Sequence, residues 1–326
     1  MVEVFEIPNF QFEGGGKIDT LKIAYTTYGQ INEDRSNVIW VFHALTANSK
    51  VLEWWPGLFG DDCLYNPQDH FIICANIIGS PYGSTCPQDL DFPLFSVRDT
   101  VSAEIALAAH LGIDHIHTLI GGSCGGSQVV EFAYTYPGTV DHLITIAAGP
   151  KESPWSIAVH EAQRMALKAD PAFGTKSTNT LGLKAARAIG MVTYRTAESL
   201  IVKQQDTEEK LDNFKAASYM QYQGDKFADR FEAVSYYYLT KSLDTHDVGR
   251  GRGGYQAALG KIGISALVIA IDSDVLIPAF SQKEMADLLP NGTYKEIESL
   301  YGHDGFLMEV EKITEQISEF YQTQNN

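Results

Sequence analysis

The sequence predicts an α/β fold with a mostly parallel central sheet, flanked by helices and interrupted by a helical insertion. Short apolar segments alternate with helical segments over residues 1–150. This alternation is typical of parallel strands joined by right-handed crossovers. Strand patterns are then rare over residues 151–254 and return in residues 255–326. We therefore predict a core made of residues 1–150 and 255–326, with residues 151–254 forming a helical lid.

The strands of this core are predicted from short apolar runs that are rich in β-branched and aromatic residues and bounded by turn residues. These runs are Leu21–Tyr28, Asn37–Phe42, His70–Ala75, Ile116–Ile120, His142–Ala148 and Ala266–Ile271.

Helices are predicted where apolar residues recur at helical spacing. Within the core these segments are Val97–Leu111, the residues directly after Ser123, and Ile313–Tyr321. Within the insertion they are Ala158–Ala169, Leu181–Met191 and Phe231–Leu243.

Composition narrows the class of protein. Apolar residues make up 44% and charged residues 20% of the 326 residues, which is ordinary for a globular protein. The net charge of −17 disfavours binding to nucleic acid or to anionic membranes. No apolar run is long enough to span a bilayer, no signal segment is visible, and the four cysteines form no CxxC pair. We expect a reduced, cytoplasmic setting.

The strongest chemical signal is Gly121-Gly122-Ser123-Cys124-Gly125, a G-x-S-x-G motif between a predicted strand and a predicted helix. In that context it is the nucleophile elbow of α/β-hydrolase-fold enzymes, with Ser123 as the nucleophile. Small residues two positions either side of the serine allow the strand and the helix to approach closely. A glycine-rich turn without chemistry, or Cys124 as nucleophile, are the alternatives.

A serine hydroxyl needs a base, and in this fold the expected order along the chain is serine, acid, histidine. The strand Ala266–Ile271 runs into Asp272-Ser273-Asp274, and we predict Asp274 rather than Asp272 as the acid. His303 follows in a glycine-flanked loop and is the predicted base. The other histidines precede the acid, and none has the spacing of a metal site, so no metal is predicted.

Two backbone N–H groups are predicted to form an oxyanion hole. The strand Asn37–Phe42 leads into His43-Ala44-Leu45, the loop that supplies one donor in this fold. We predict the N–H groups of Leu45 and Cys124 as the two donors.

Several segments together resemble the homoserine O-acetyltransferase family, which has the α/β-hydrolase fold. The resemblance covers nearly the whole chain, including the predicted insertion. Its segments are His43–Thr46, Gly121–Gly126, His160–Arg164, Thr193–Arg195, Tyr222–Phe227, Arg230-Phe231, Ser273–Pro278 and Gly302–Leu307.

The resemblance implies a lid over the catalytic residues, a homodimer, and a ping-pong reaction in methionine biosynthesis. Acetyl-CoA would be a co-substrate rather than a bound cofactor, and it would acetylate Ser123 before the acetyl group passes to L-homoserine. Carried over by position, Arg195 would bind the carboxylate of homoserine and Asp304 its ammonium group. A lid-stabilising role is the alternative for Arg195, and a loop-stabilising role for Asp304.

The chain departs from the family pattern at a few positions. Cys124 and Ser127 stand where larger residues are common, and His160 stands where Asn is common. Succinyl-CoA as donor and serine as acceptor therefore remain alternatives, as does a serine esterase or thioesterase with the same triad. The segment Gly249–Gly254 carries Arg250 and Arg252, but it lacks the strand and helix of a nucleotide-binding fingerprint and is predicted to be a linker.

Overall fold

Eight strands form a mixed sheet through the centre of the molecule. The computed structural model describes residues 1–136, 138–175 and 181–324. Across the sheet the strand order is β1-β2-β4-β3-β5-β6-β7-β8, antiparallel between β1, β2 and β4 and parallel from β4 to β8. The strands are β1 (Val2–Gln11), β2 (Lys17–Tyr28), β3 (Val38–Phe42), β4 (Phe71–Ala75), β5 (His115–Gly122), β6 (Thr139–Ile146), β7 (Ser265–Ile271) and β8 (Gly292–Ile297).

The helices surround this sheet, and five of the described helices lie between β6 and β7 within residues 151–254. Those five are α4 (Pro154–Ala169), α5 (Leu181–Tyr194), α6 (Ala197–Gln204), α7 (Lys215–Ala228) and α8 (Ala233–Asp244). The others are α1 (Val51–Trp54), α2 (Val97–His110), α3 (Cys124–Thr135), α9 (Tyr255–Leu259), α10 (Ala279–Leu288), α11 (Gly305–Met308) and α12 (Val310–Gln324), with a short 3₁₀ turn at Gly302–Asp304.

The central strands are buried on both faces, as expected for parallel strands covered by helices. Every residue of β3 is buried, and its side chains alternate between two apolar layers. Trp40 and Phe42 pack in one layer, while Ile39 and Val41 pack in the other. Burial on both faces holds the carboxyl ends of the parallel strands in fixed positions, which is where an active site is built in this type of sheet.

Local sequence signals explain where the principal helices begin. Ser96 caps α2 by accepting from the Asp99 N–H, and Asp99 accepts in return from the Ser96 N–H, which forms a capping box. Ser153 caps α4, and Pro154 stands at its first position, where the missing N–H costs nothing. In the first turn of α4, Oγ of Ser156 donates to the carbonyl oxygen of Leu276 at 3.3 Å, which ties the start of this helix to the loop that follows β7.

The predicted α/β fold with a mostly parallel sheet is confirmed, and each of the six predicted strands overlaps an observed one. Strands β1 and β8 were not predicted. Most residues of β1 are exposed, so it lacks the apolar run that marks a buried strand. In β8 only Ile297 is fully buried. Both lie at the edges of the sheet, where burial leaves little trace in the sequence.

Candidate active site

Ser123 occupies a strained turn between β5 and α3. Its backbone has φ 56° and ψ −126°, a conformation that L-residues rarely adopt. The Ser123 N–H donates to the carbonyl oxygen of Ile146 at 2.9 Å, which ties the turn to the neighbouring strand. Strain of this kind persists only where the surroundings enforce it. Here it raises the hydroxyl above the carboxyl edge of the sheet.

The glycines around Ser123 are required by close backbone contacts. A Cβ atom on Gly121 would lie 2.5 Å from the carbonyl carbon of Gly125. A Cβ on Gly125 would overlap the carbonyl oxygen of Phe42 at the end of β3. The spacing G-x-S-x-G therefore reflects steric requirements on both sides of the elbow.

Three side chains from separate parts of the chain meet in a hydrogen-bonded relay. Nε2 of His303 lies 2.7 Å from Oγ of Ser123, and Nδ1 of His303 lies 2.7 Å from Oδ2 of Asp274. The other oxygen of Asp274 accepts from the N–H groups of Leu276 and Ile277 at 2.8 and 2.9 Å. These backbone donors fix the carboxylate, which in turn orients the imidazole ring.

The neighbouring acid Asp272 has a different role. Its Oδ1 accepts from the N–H of Ser299 at 2.9 Å, so it supports the loop that precedes His303. Asp272 follows the last residue of β7, and Asp274 lies two residues further into the loop. The acid in contact with the histidine is therefore Asp274.

The electrostatic surroundings of His303 suit a general base. Burial by itself would lower the pKa of His303, because it disfavours the imidazolium. The charge and hydrogen bond of Asp274 outweigh burial, with further help from Asp304 and Glu152, and the pKa is raised. These surroundings thus stabilise an imidazolium at His303.

Two backbone donors lie beside the serine. Neither the Leu45 N–H nor the Cys124 N–H donates a hydrogen bond to another part of the described chain. The loop that carries Leu45 is held by His43, whose Nδ1–H donates to the carbonyl oxygen of Ala44 and whose Nε2 accepts from the N–H of Ile77. Burial lowers the pKa of His43 to about 4, so this ring is neutral and structural.

Cys124 is poorly suited to be a nucleophile. Its side chain is buried, and burial raises the pKa of its thiol to about 12. A nucleophilic cysteine reacts as the thiolate, which this environment suppresses. The side-chain amide of Gln128 donates to Sγ at 3.6 Å and occupies the sulfur further.

A cavity of about 500 Å³ opens over Ser123 and His303. Its wall is shared between the core and the helices inserted between β6 and β7. The inserted helices α4 and α5 contribute His160, Arg187 and Tyr194 to it. The residues of the wall that bear on the chemistry are Leu45, Tyr82, His160, Arg187, Tyr194, Arg230, Leu243, Leu276, Asp304 and Phe306.

The two predicted substrate residues contact each other. Nε of Arg195 lies 3.0 Å from Oδ2 of Asp304. Asp304 lines the cavity, whereas Arg195 lies behind it and lines a separate cavity of about 230 Å³. Burial raises the pKa of Asp304, although Arg195, His303 and Arg187 oppose this effect.

Arg187, which the sequence analysis did not single out, lies in the wall of the main cavity. Its guanidinium stacks over the rings of Tyr194 and Phe227, 5.4 and 5.2 Å from their centroids. Among the described residues no carboxylate lies within 4.0 Å of it. The sequence does place Arg187 next to the buried Ala186 in an amphipathic helix. An arginine in such a helix is usually exposed on the surface, so this position by itself did not indicate a site residue.

Both arginines of the segment Gly249–Gly254 form ion pairs with glutamates of this chain. Arg250 pairs with Glu13 at 2.9 Å. Arg252 pairs with the buried Glu131 at 2.5 Å and stacks over the ring of Tyr134. These ion pairs thus hold the segment that follows the insertion against the core.

Two kinds of feature are absent from the described part of the chain. No group of three or more His, Cys, Asp or Glu side chains there could hold a metal ion. No helix within it is both long enough and apolar enough to cross a membrane.

Comparison with known proteins relates both the sequence and the structure to enzymes. The profile of the α/β-hydrolase fold family matches residues 37–310. A homoserine O-acetyltransferase from Cyclobacterium marinum is 42% identical over 96% of this chain and 93% of its own length. The crystal structure of a homoserine O-acetyltransferase from Staphylococcus aureus superposes with a TM-score of 0.86 and 28% identity, covering 100% of this chain and 95% of that one. The crystal structure of esterase E22 has a TM-score of 0.89 at 22% identity, covering 98% of this chain and all of its own.

Proposed function

Because the chain belongs to the homoserine O-acetyltransferase family of the α/β-hydrolase fold, we propose that it transfers acetyl from acetyl-CoA to the side-chain hydroxyl of L-homoserine. This reaction is a step of methionine biosynthesis. The observation that carries the proposal is the Ser123–His303–Asp274 relay at a cavity lined in part by the inserted helices, in a chain 42% identical to a relative of that name.

In the first half-reaction, Ser123 attacks the thioester carbonyl of acetyl-CoA while Nε2 of His303 takes its proton. The negative charge on the carbonyl oxygen is stabilised by the N–H groups of Leu45 and Cys124, a contribution worth about 10²–10³ in turnover per donor. His303 then gives the proton to the leaving sulfur. CoA departs as a thiol, and acetyl remains on Oγ of Ser123.

In the second half-reaction the hydroxyl of homoserine attacks the acetyl-serine. His303 takes the hydroxyl proton, the same two N–H groups stabilise the oxyanion, and the proton returns to Oγ of Ser123 as the ester bond breaks. Asp274 orients the ring and stabilises the imidazolium throughout both steps. The products are O-acetylhomoserine and the free enzyme.

Recognition of homoserine requires a partner for each of its charges. We assign the ammonium group to Asp304, which lies in the wall beside His303. Position in the family pattern assigned the carboxylate to Arg195, but Arg187 and Arg230 are the arginines that line the cavity. A guanidinium can hold a carboxylate in bidentate fashion. The geometry therefore favours Arg187 for this contact, with Arg195 supporting Asp304 from behind.

The small, uncharged space next to the N–H groups of Leu45 and Cys124 favours an acetyl group over a succinyl group. A cavity of about 10 Å³, roughly one water in size, lies beside the main one and shares Leu45 and Leu243 with it. Among the described residues that line it, none is Lys, Arg or His. A succinyl carboxylate would be buried there without a cationic partner, which is costly.

We further propose that residues 151–254 act as a lid, that the enzyme is a cytoplasmic homodimer, and that acetyl-CoA is a co-substrate rather than a resident cofactor. A lid suits transfer chemistry because an acyl-serine open to water hydrolyses, whereas a covered site lets a positioned alcohol compete. Helices α4 and α5 supply His160, Arg187 and Tyr194 to the cavity wall, which supports this role.

The second candidate function is ester or thioester hydrolysis. It is compatible with the Ser123–His303–Asp274 relay, and esterase E22 has a similar fold. The relay alone does not choose between water and an alcohol as acyl acceptor.

One assay separates the two functions. The protein is incubated with acetyl-CoA, with and without homoserine, and free CoA and O-acetylhomoserine are followed together. We expect steady CoA release that depends on homoserine and matches the amount of O-acetylhomoserine. CoA release that ignores homoserine would show a hydrolase instead. Replacing acetyl-CoA by succinyl-CoA, and homoserine by serine, tests the donor and the acceptor in the same format.

A further inference from the structure

A second histidine–aspartate pair faces the cavity that holds Ser123. His160 lies on α4, is 4% exposed, and lines the cavity wall. Its Nδ1 lies 2.7 Å from Oδ1 of Asp244, the last residue of α8. The other oxygen of Asp244 lies 2.7 Å from Nη2 of Arg164, one helical turn after His160. Both oxygens of Asp244 are engaged, so the imidazole ring is held in one orientation.

This contact also determines which ring nitrogen carries the proton. The carboxylate of Asp244 accepts, so Nδ1 of His160 donates, and in the neutral ring Nε2 is left as an acceptor. Within the described chain the hydrogen bond of this ring is made at Nδ1, and no partner lies at Nε2. His303 has the same arrangement, except that its Nε2 meets the hydroxyl of Ser123. His160 therefore presents a lone pair that the protein itself does not use.

The charges behind His160 are balanced. Arg164 is the counter-ion of Asp244 and also of Glu161, whose Oε2 lies 2.7 Å from its Nε. Lys168 pairs with the other oxygen of Glu161 at 3.5 Å. Two carboxylates thus face two cations, and the network behind the imidazole places no net positive charge there that would repel an ammonium group.

Asp304 by itself does not offer an acceptor to each donor of an ammonium group. Such a group has three N–H donors. Oδ2 of Asp304 already lies 3.0 Å from Nε of Arg195, which compensates part of the carboxylate charge. A further acceptor in the same cavity wall would strengthen the binding of a substrate ammonium group.

We propose that Nε2 of His160 accepts a hydrogen bond from the α-ammonium group of homoserine, and that Asp244 is a positioning residue that holds the ring for this contact. The inference rests on the proposed function, because it assigns a group of that function's acceptor. It has a kinetic consequence. The acetyl group and the pantetheine arm of acetyl-CoA carry no ammonium group, so His160 acts in the second half-reaction and not in the first.

The test compares the two half-reactions in His160→Leu and His160→Asn. The first is followed as the burst of CoA on mixing with acetyl-CoA, and the second as kcat/KM for the acceptor. We expect the burst rate of His160→Leu to stay within about threefold of wild type. We expect its kcat/KM for homoserine to fall about 10- to 100-fold, as for a lost hydrogen bond to a charged group. His160→Asn retains a shorter acceptor and should lose less.

A second acceptor identifies the group that is bound. 4-Hydroxybutyrate has the hydroxyl and carboxylate of homoserine but no ammonium group. With 4-hydroxybutyrate at high concentration, wild type and His160→Leu should agree within about threefold. Asp244→Asn should behave like His160→Leu with homoserine, because an asparagine amide can donate to Nδ1 and so place the ring proton on Nε2. His115→Leu is the matched control, since His115 pairs with Asp141 in a similar way outside the cavity; we expect it to match wild type.

Three outcomes would contradict the role assigned to His160. Unchanged kcat/KM for homoserine in His160→Leu, equal losses in both half-reactions, or equal losses with both acceptors would each overturn the assignment. If His160→Leu does not fold, as judged by thermal unfolding, the same criteria apply to His160→Asn and Asp244→Asn. Failure of the proposed function is seen separately, as absence of O-acetylhomoserine with the wild-type enzyme.

Discussion

Replacing Asp274 by Asn tests the proton relay with little change in shape. Oδ1 of Asp274 accepts from the N–H groups of Leu276 and Ile277. An asparagine would keep its single oxygen there, so its NH₂ group would point at Nδ1 of His303. To accept from that amide, the ring must leave Nδ1 unprotonated and carry its proton on Nε2. It could then no longer take the proton of Ser123.

The expected loss is large because one atom decides the tautomer of His303. The same substitution in the serine protease relay lowers turnover about 10⁴-fold, which corresponds to about 5.5 kcal/mol in the barrier. The pH profile should also move. Asp274 is what outweighs burial and raises the pKa of His303. His303 must be neutral to act as a base, so activity falls below this pKa, and in Asp274→Asn the acid limb of the residual activity should shift to lower pH.

The assay is the rate of the CoA burst with acetyl-CoA, measured by stopped flow between pH 5 and 9. Asp272→Asn is the matched control, because Asp272 supports the Ser299 N–H and does not contact His303. We expect the control to stay within about threefold of wild type. A loss below tenfold in Asp274→Asn, or an equal loss in Asp272→Asn, would refute the assignment of Asp274 as the orienting acid.

Four further predictions follow from single contacts. Gly125→Ala should lower the free energy of unfolding by at least about 1–3 kcal/mol, because its Cβ would overlap the carbonyl oxygen of Phe42; chemical denaturation checks this, with Gly263→Ala, which meets nothing within 4 Å, as the control. Arg252→Ala should lower stability by up to about 3–5 kcal/mol, because the buried Glu131 would keep only Arg98, at 3.6 Å, as a cationic partner, while KM for acetyl-CoA stays unchanged; a selective rise in that KM would point to CoA binding instead. Arg187→Ala should raise KM for homoserine more than it slows the CoA burst, and Arg195→Ala should have the smaller effect; the reverse order would restore Arg195 as the carboxylate partner. Cys124→Ala should keep the CoA burst rate within about tenfold of wild type, because only the backbone N–H of Cys124 is required, whereas loss of acylation would favour a thiol nucleophile.

The parts of the site that were predictable depend on backbone requirements. Gly121 and Gly125 flank Ser123 because a side chain at either position would overlap the opposite backbone. The order of serine, acid and histidine follows from the sequence of strands in the sheet, which led to Asp274 and His303. Such constraints act between neighbouring residues or follow from the order of the strands, so they can be predicted from the sequence.

The parts that were missed depend on which way a helix faces. Arg187 on α5 and His160 on α4 line the cavity. Arg187 lies outside the segments that carry the family resemblance, and His160 begins one of them but was given no role there. Arg195 stands only eight positions after Arg187, but it lies behind Asp304. The strands β1 and β8 were missed because edge strands are half exposed and their residues do not form an apolar run.

The central claim is that acetyl is carried on the hydroxyl of Ser123. Its most direct test is the mass of the protein after rapid mixing with acetyl-CoA and acid quenching, followed by peptide mapping. We predict a gain equal to one acetyl group on the peptide that contains Ser123, its removal when homoserine is added before the quench, and its absence in Ser123→Ala. Acetyl on another residue, or turnover by Ser123→Ala at the wild-type rate, would contradict the mechanism.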